Sequence, residues 1–139
     1  MEILVIDGQG GGLGKSLVSA LKKRGIVSTV IAVGTNSIAT SAMMKAGADR
    51  SATGENPVVV SCRTSDVIIG PVGIVIPDSM HGEITARMAF AIARSSAKRL
   101  LVPVNLCNNH IVGVQGVSIS AMIDEVVEQV ASLEAQKSL

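Results

Sequence analysis

Five glycines fall within the seven positions from Gly8 to Gly14, after the apolar run Ile3-Leu4-Val5-Ile6 and Asp7, and before an amphipathic helical pattern. Glycine removes the Cβ where a backbone must turn sharply and where its N–H groups must come close to an anion. The stretch Asp7-Gly8-Gln9-Gly10-Gly11-Gly12-Leu13-Gly14-Lys15-Ser16 therefore reads as a phosphate-binding turn between a buried strand and a helix. On this reading the N–H groups of Gly10, Gly11, Gly12, Leu13 and Gly14 carry the ligand. Gly8 opens the turn, Lys15 adds a charge, and Asp7 or Gln9 orients the bound group. The expected ligand is a dinucleotide, NAD or NADP.

Three templates compete for these glycines. The spacing Gly8-xxx-Gly12-x-Gly14 matches short-chain dehydrogenases. The general dinucleotide fingerprint G-x-G-x-x-G, ended at Gly14, places Gln9 where its first glycine belongs, and the P-loop pattern fails at the same residue. Gly11-Gly12-Leu13-Gly14-Lys15-Ser16 resembles the core of the variant P-loop in partitioning ATPases, with Gly10 at the site of their signature lysine. A divergent ATP-binding protein is thus the alternative, with Asp78 as its passable Mg²⁺ acid. The dehydrogenase template is contradicted at its chemistry, because those enzymes donate a proton from tyrosine and this chain has none.

The second strand should end at the adenine ribose, where dinucleotide sites usually carry an acid. Here the place holds Gly34-Thr35-Asn36-Ser37. Thr35 and Asn36 are expected either to touch the ribose or to cap the following helix, and nothing in them selects NAD over NADP. A catalytic set, if there is one, would come from Glu55, Asp78, His81, Glu83 and Asn105, with His81 the natural acid–base. Arg63, Arg87 and Arg94 suit phosphate or surface ion pairs. Cys107-Asn108-Asn109-His110 lacks the paired spacing of a zinc site, so no metal centre is expected.

Continuous apolar runs at Ile3 to Ile6, Val30 to Val33, Val67 to Ile69 and Leu100 to Val102 predict strands covered on both faces. Between them lie helical patterns: Leu13 to Leu21, stopped at Gly25; Ile38 to Ala46, capped by Thr35 or Asn36 and stopped at Gly47; Glu83 to Ser95; and about Ser118 to Leu133. Ala48 to Thr53 reads as a short strand. Pro57 to Cys62 suits a helix begun by Pro57, although Val58-Val59-Val60 would equally make a strand, and Ile111 to Val114 suggests an edge strand. Strands alternating with helices predict an α/β fold, one doubly wound, mostly parallel, Rossmann-like sheet spanning 1–139 with helices on both faces. Ligands then bind outside the carboxyl ends of the strands.

Composition narrows the partners. With 12 Lys and Arg against 11 Asp and Glu there is no cationic field for nucleic acid or anionic lipid. Two cysteines make no disulfide framework, and the longest apolar run, Val67 to Pro77, is too short and too broken for a membrane span. With no charged-then-apolar leader ahead of the first strand, a cytoplasmic protein is expected. Hydrophobic residues make up 47% of the chain while Phe90 is its sole aromatic. That aliphatic excess points to a homo-oligomer.

The segments Ile-Asp-Gly-Gln-Gly-Gly-Gly at 6–12, Ala-Val-Gly-Thr-Asn at 32–36, Ala-Thr-Gly-Glu-Asn at 52–56, Ile-Ile-Gly-Pro-Val-Gly-Ile at 68–74 and Gly-Glu-Ile-Thr at 82–85 resemble a small family of uncharacterised bacterial proteins. The resemblance runs nearly the full length and implies one self-contained unit with a nucleotide-binding N-terminal turn. Two classes of function follow: a non-catalytic sensor or regulatory module that binds a nucleotide, and a small enzyme acting on a nucleotide or phosphorylated metabolite.

Overall fold

The computed structural model describes residues 1–104, 106 and 108–139. The chain runs β1 (Glu2–Asp7), α1 (Gly12–Lys23), β2 (Thr29–Gly34), α2 (Ser37–Lys45), β3 (Arg50–Thr53), α3 (Glu55–Ser61), β4 (Val67–Pro71), a 3₁₀ turn (Val72–Val75), α4 (Ala86–Arg94), β5 (Lys98–Val102) and α5 (Ile119–Lys137). All strand pairs are parallel, in the order β3-β2-β1-β4-β5. The expected α/β sheet with helices on both faces is what forms. The strand order reverses between β1 and β4, which places the crevice of such a sheet at the carboxyl end of β1.

Alternation along the strands builds two cores. Ile3 and Val5 of β1 face Leu17, Val18 and Leu21 of α1, Met43 of α2, and Val126, Val127 and Val130 of α5. Leu4 and Ile6 face Val58 of α3, Ile74, and Met88 and Ile92 of α4. Both faces of β1 are fully buried, which is why its sequence is a continuous apolar run rather than an alternating one.

The carboxyl end of α5 is fixed by Glu134. Its Oε1 accepts from the Ser28 N–H at 2.8 Å and the Ser28 hydroxyl at 2.5 Å, and from the Val27 N–H at 3.2 Å. Burial opposes the charge, but the Ser28 and Val27 bonds hold this carboxyl below its ordinary range.

Four boundaries differ from the sequence expectation. Residues 57–61 fall in a helix with Cys62 as its C-cap, but Gly54, at φ +109°, is its N-cap and Pro57 is its third residue. Ile111 to Val114 form no strand; they lie in an irregular loop where Val112 is 86% exposed. The helix expected from Glu83 starts at Ala86, because Thr85 takes the N-cap and its hydroxyl accepts from the Met88 N–H at 3.2 Å. The last helix runs on past Leu133 to Lys137.

Candidate ligand-binding site

β1 ends in an acid, and that acid turns inward. Asp7 is 4% exposed, its Oδ1 accepting from the Gly8 N–H at 2.8 Å and its Oδ2 from the Gly14 N–H at 2.6 Å. The side chain thus closes one of the open donors of the first turn of α1, at the positive end of the helix dipole. Burial pushes the Asp7 carboxyl above its ordinary range, and the nearby Glu83 charge adds to this. The two amide bonds work the other way.

The five glycines separate by what surrounds them. A Cβ on Gly14 would stand 2.6 Å from Met43 Sδ and 2.9 Å from Asp7 Cβ; one on Gly8 would meet Thr35 Oγ1 at 2.6 Å. Gly11 sits at φ +73°, and a Cβ there would meet Ala39 Cα at 2.7 Å. These three are required by the packing of the turn between β1, α1 and α2. Gly10 and Gly12 are not: a Cβ on either meets nothing within 4 Å, and neither has a left-handed φ. The Gly11 N–H donates to Gly8 O at 2.9 Å and the Lys15 N–H to Gly11 O at 2.9 Å. As the first two positions of α1, Gly12 and Leu13 have N–H groups with no partner inside the helix, and no side chain caps them.

Across the crevice, a strap from residue 78 to residue 83 closes in. Asp78, Met80 and His81 all adopt left-handed φ, followed by Gly82 at +87°. Such backbone is costly for residues other than glycine and persists only where surrounding structure imposes it. Here the Asp78 N–H donates to Ile84 O at 2.7 Å, the Ser79 hydroxyl donates to Gly73 O, and Met80 is buried. The strap delivers Glu83, whose Oε1 accepts from the Gln9 N–H at 2.9 Å, the Thr35 hydroxyl at 2.6 Å and Asn36 Nδ2 at 2.8 Å. Partial burial raises the cost of its charge, yet these three bonds and nearby His81 hold its carboxyl below the ordinary range.

Asp7, Gln9, Thr35, Asn36 and Glu83 therefore converge at the carboxyl ends of β1 and β2. Of the two roles expected of Asn36, helix capping is the one that forms: Oδ1 accepts from the Ala39 N–H at 2.9 Å, while Nδ2 donates to Glu83 Oε1 at 2.8 Å and to Gln9 O at 3.0 Å. Lys15 is exposed and lines a groove with Ser37 and Ser41 of α2.

The remaining acid–base candidates sit on two elements among the described residues, Glu55 at the start of α3 and Asp78 and His81 on the strap beside Glu83. Glu55 accepts from the Thr85 hydroxyl at 2.6 Å and pairs with Arg87 at 3.7 Å, joining the starts of α3 and α4. Asp78 and His81 are exposed on the strap, and Asn105 lies outside the described residues, as does Cys107. Arg63, Arg87 and Arg94 line a separate groove between α3 and α4, where Arg94 stacks over Phe90 at 5.3 Å. Cys62 is a buried thiol, pushed up to about 11 by burial. Sequence reading missed Met80, which packs under Gly8, and missed that Thr35 and Asn36 at the end of β2 would bind the Glu83 carboxylate. The missing β2 acid was itself the clue, since the loop after β4 opens onto the same crevice.

Comparison with solved structures finds a dodecameric FMN-dependent UbiX-like decarboxylase from Escherichia coli O157:H7, 20% identical, covering 100% of this chain and 96% of that one with a TM-score of 0.51. At this identity the likeness is one of fold. It nonetheless overturns the expectation of NAD or NADP, since the solved protein to which this chain is similar depends on FMN. No curated protein matches the chain. Among the described residues no helix is long and apolar enough to cross a membrane. The model of a domain of unknown function, DUF3842, matches residues 2–135, and the chain belongs to that family.

Proposed function

We propose that this protein binds a phosphate-bearing mononucleotide, flavin mononucleotide in particular, with its phosphate against the N–H groups of Gly12 and Leu13 at the opening of α1. One observation carries the reading: Gly10 and Gly12 are glycines that neither packing nor backbone conformation of the chain requires, and they border two unclaimed helix N–H groups. Close approach of a phosphate is one use for a missing Cβ beside such N–H groups. The FMN dependence of a protein of similar fold favours that compound over others. When bound, FMN supplies redox or electron-sink chemistry of its own. The chain contributes binding and positioning, which suits a non-catalytic binding module.

A homo-oligomer accompanies this reading. An apolar groove of about 480 Å³ runs along edge strand β5, lined by Leu100, Val102, Ile111, Val117 and Met122. Val112 and Ile119 stand exposed beside it. A second copy covering this edge would remove both the groove and the open strand edge from water. Native mass spectrometry should show a multimer, and a monomer at micromolar concentration would refute the assembly. Titration calorimetry with FMN should give a saturable isotherm that Gly12→Val abolishes. Absence of FMN binding by the wild type, or full binding by the folded variant, would refute the ligand assignment.

A further inference from the structure

The carboxylate of Glu83 has one oxygen committed and one free. All three of its bonds to the chain, from Gln9, Thr35 and Asn36, end on Oε1. Oε2 has no bond to the described residues, and among them no buried side-chain oxygen lacks a partner, so Oε2 is open to solvent. The three bonds fix the position of the group and hold it ionised, as an acceptor with lone pairs to offer. In doubly wound sites the acid that takes sugar hydroxyls comes from the end of β2. This chain has Gly34-Thr35-Asn36 there, and Thr35 and Asn36 instead hold a carboxylate delivered from the loop after β4.

We infer that Glu83 is the hydroxyl-recognising residue of the site, with Oε2 accepting from a hydroxyl on the sugar or sugar-alcohol chain of the bound mononucleotide. This rests on the mononucleotide reading above and adds an orientation to it. A phosphate beside Glu83 would set like charges together, so the phosphate lies at the Gly12–Leu13 end and the hydroxylated chain extends toward β2. Recognition is therefore selective for ligands that carry a hydroxyl between phosphate and ring, and it discriminates against the same compound without it.

The test uses the full-length protein, FMN, analogues of FMN each lacking one ribityl hydroxyl, and inorganic phosphate. Wild-type protein should bind one deoxy analogue at least about tenfold more weakly than FMN, the loss expected for a hydrogen bond to a charged group. In Glu83→Gln, which keeps an oxygen for the three bonds to the chain but loses the charge, that discrimination should shrink to less than about threefold, with inorganic phosphate bound as in the wild type. Equal affinity of the wild type for every deoxy analogue, or undiminished discrimination in Glu83→Gln, overturns the inference while leaving phosphate binding intact. Failure of both FMN and phosphate to bind the wild type overturns the mononucleotide reading, and this inference with it. Should Glu83→Gln fail to fold, Glu83→Asp, which keeps the charge but withdraws it from the ligand, should shrink the same discrimination, and undiminished discrimination there overturns the inference.

Discussion

The inner and outer sides of the β1–α1 turn are built from the same residue type for opposite reasons. On the inner side, Gly8, Gly11 and Gly14 are glycines because the chain leaves no room, and their N–H groups are answered by Asp7 and by Gly8 O. On the outer side, Gly10 and Gly12 are glycines beside open space, and the N–H groups of Gly12 and Leu13 are unanswered. A glycine-rich turn is therefore two statements superimposed. One concerns how closely a helix packs on a strand, the other what approaches from outside.

Substitutions should separate the two sides. Gly14→Val, which forces a branched side chain into Met43 and Asp7, should cost about 3 kcal/mol of stability in chemical denaturation. A loss below about 1 kcal/mol would mean that the inner side is not tightly packed. Asp7→Ala, which leaves the Gly8 and Gly14 N–H groups without their buried partner, should cost about 2 kcal/mol in the same measurement. An unchanged midpoint would show that relief of the buried charge fully offsets the lost cap. Gly12→Val should change stability by less than about 0.5 kcal/mol, as surface substitutions do, while weakening FMN by at least about tenfold. Equal losses of stability at Gly12 and Gly14 would erase the distinction between the two sides.

The smallest expected effect is on pH. Glu83 and Glu134 have folded-state values below their ordinary 4.5, and Asp49 and Asp66 lie below theirs. Each stabilises the fold fully above its unfolded value and loses that contribution as pH falls through its folded one. Asp7, raised by burial, runs in the opposite sense and partly offsets the loss. Thermal unfolding temperature should thus fall as pH drops below about 4.5. Glu134→Gln should flatten that fall, and an unchanged slope would show that the Ser28–Val27 anchor does not contribute.

Much of the scaffold was legible in the sequence because its signals are local. Ile3-Leu4-Val5-Ile6 has no polar face, so it had to be covered on both sides. Gly25 and Gly47, at φ +82° and +115°, stop their helices where the apolar period ends, Gly25 directly after the cations Lys22, Lys23 and Arg24. The site was legible only in outline. That Asp7 faces its own helix rather than a ligand depends on the 2.6 Å approach of Gly14, which no spacing reveals. Glu83 looked like the first residue of a helix because Ile84, Met88 and Ile92 follow at helical intervals. Thr85 takes the cap instead, and the left-handed strap before it turns Glu83 toward β2. The Pro57 expectation failed for a similar reason: Gly54 is the N-cap and starts α3 earlier.

The most direct test of the central claim is amide NMR of the ¹⁵N-labelled protein titrated with FMN. Saturable shifts should centre on the N–H groups of Gly10, Gly12 and Leu13, with smaller changes at Gly8 and Gly14, whose N–H groups stay bonded to Asp7. Saturable binding that leaves Gly12 and Leu13 unmoved, or shifts gathered instead around Arg63, Arg87 and Arg94, would contradict an anion site on the outer side of the turn.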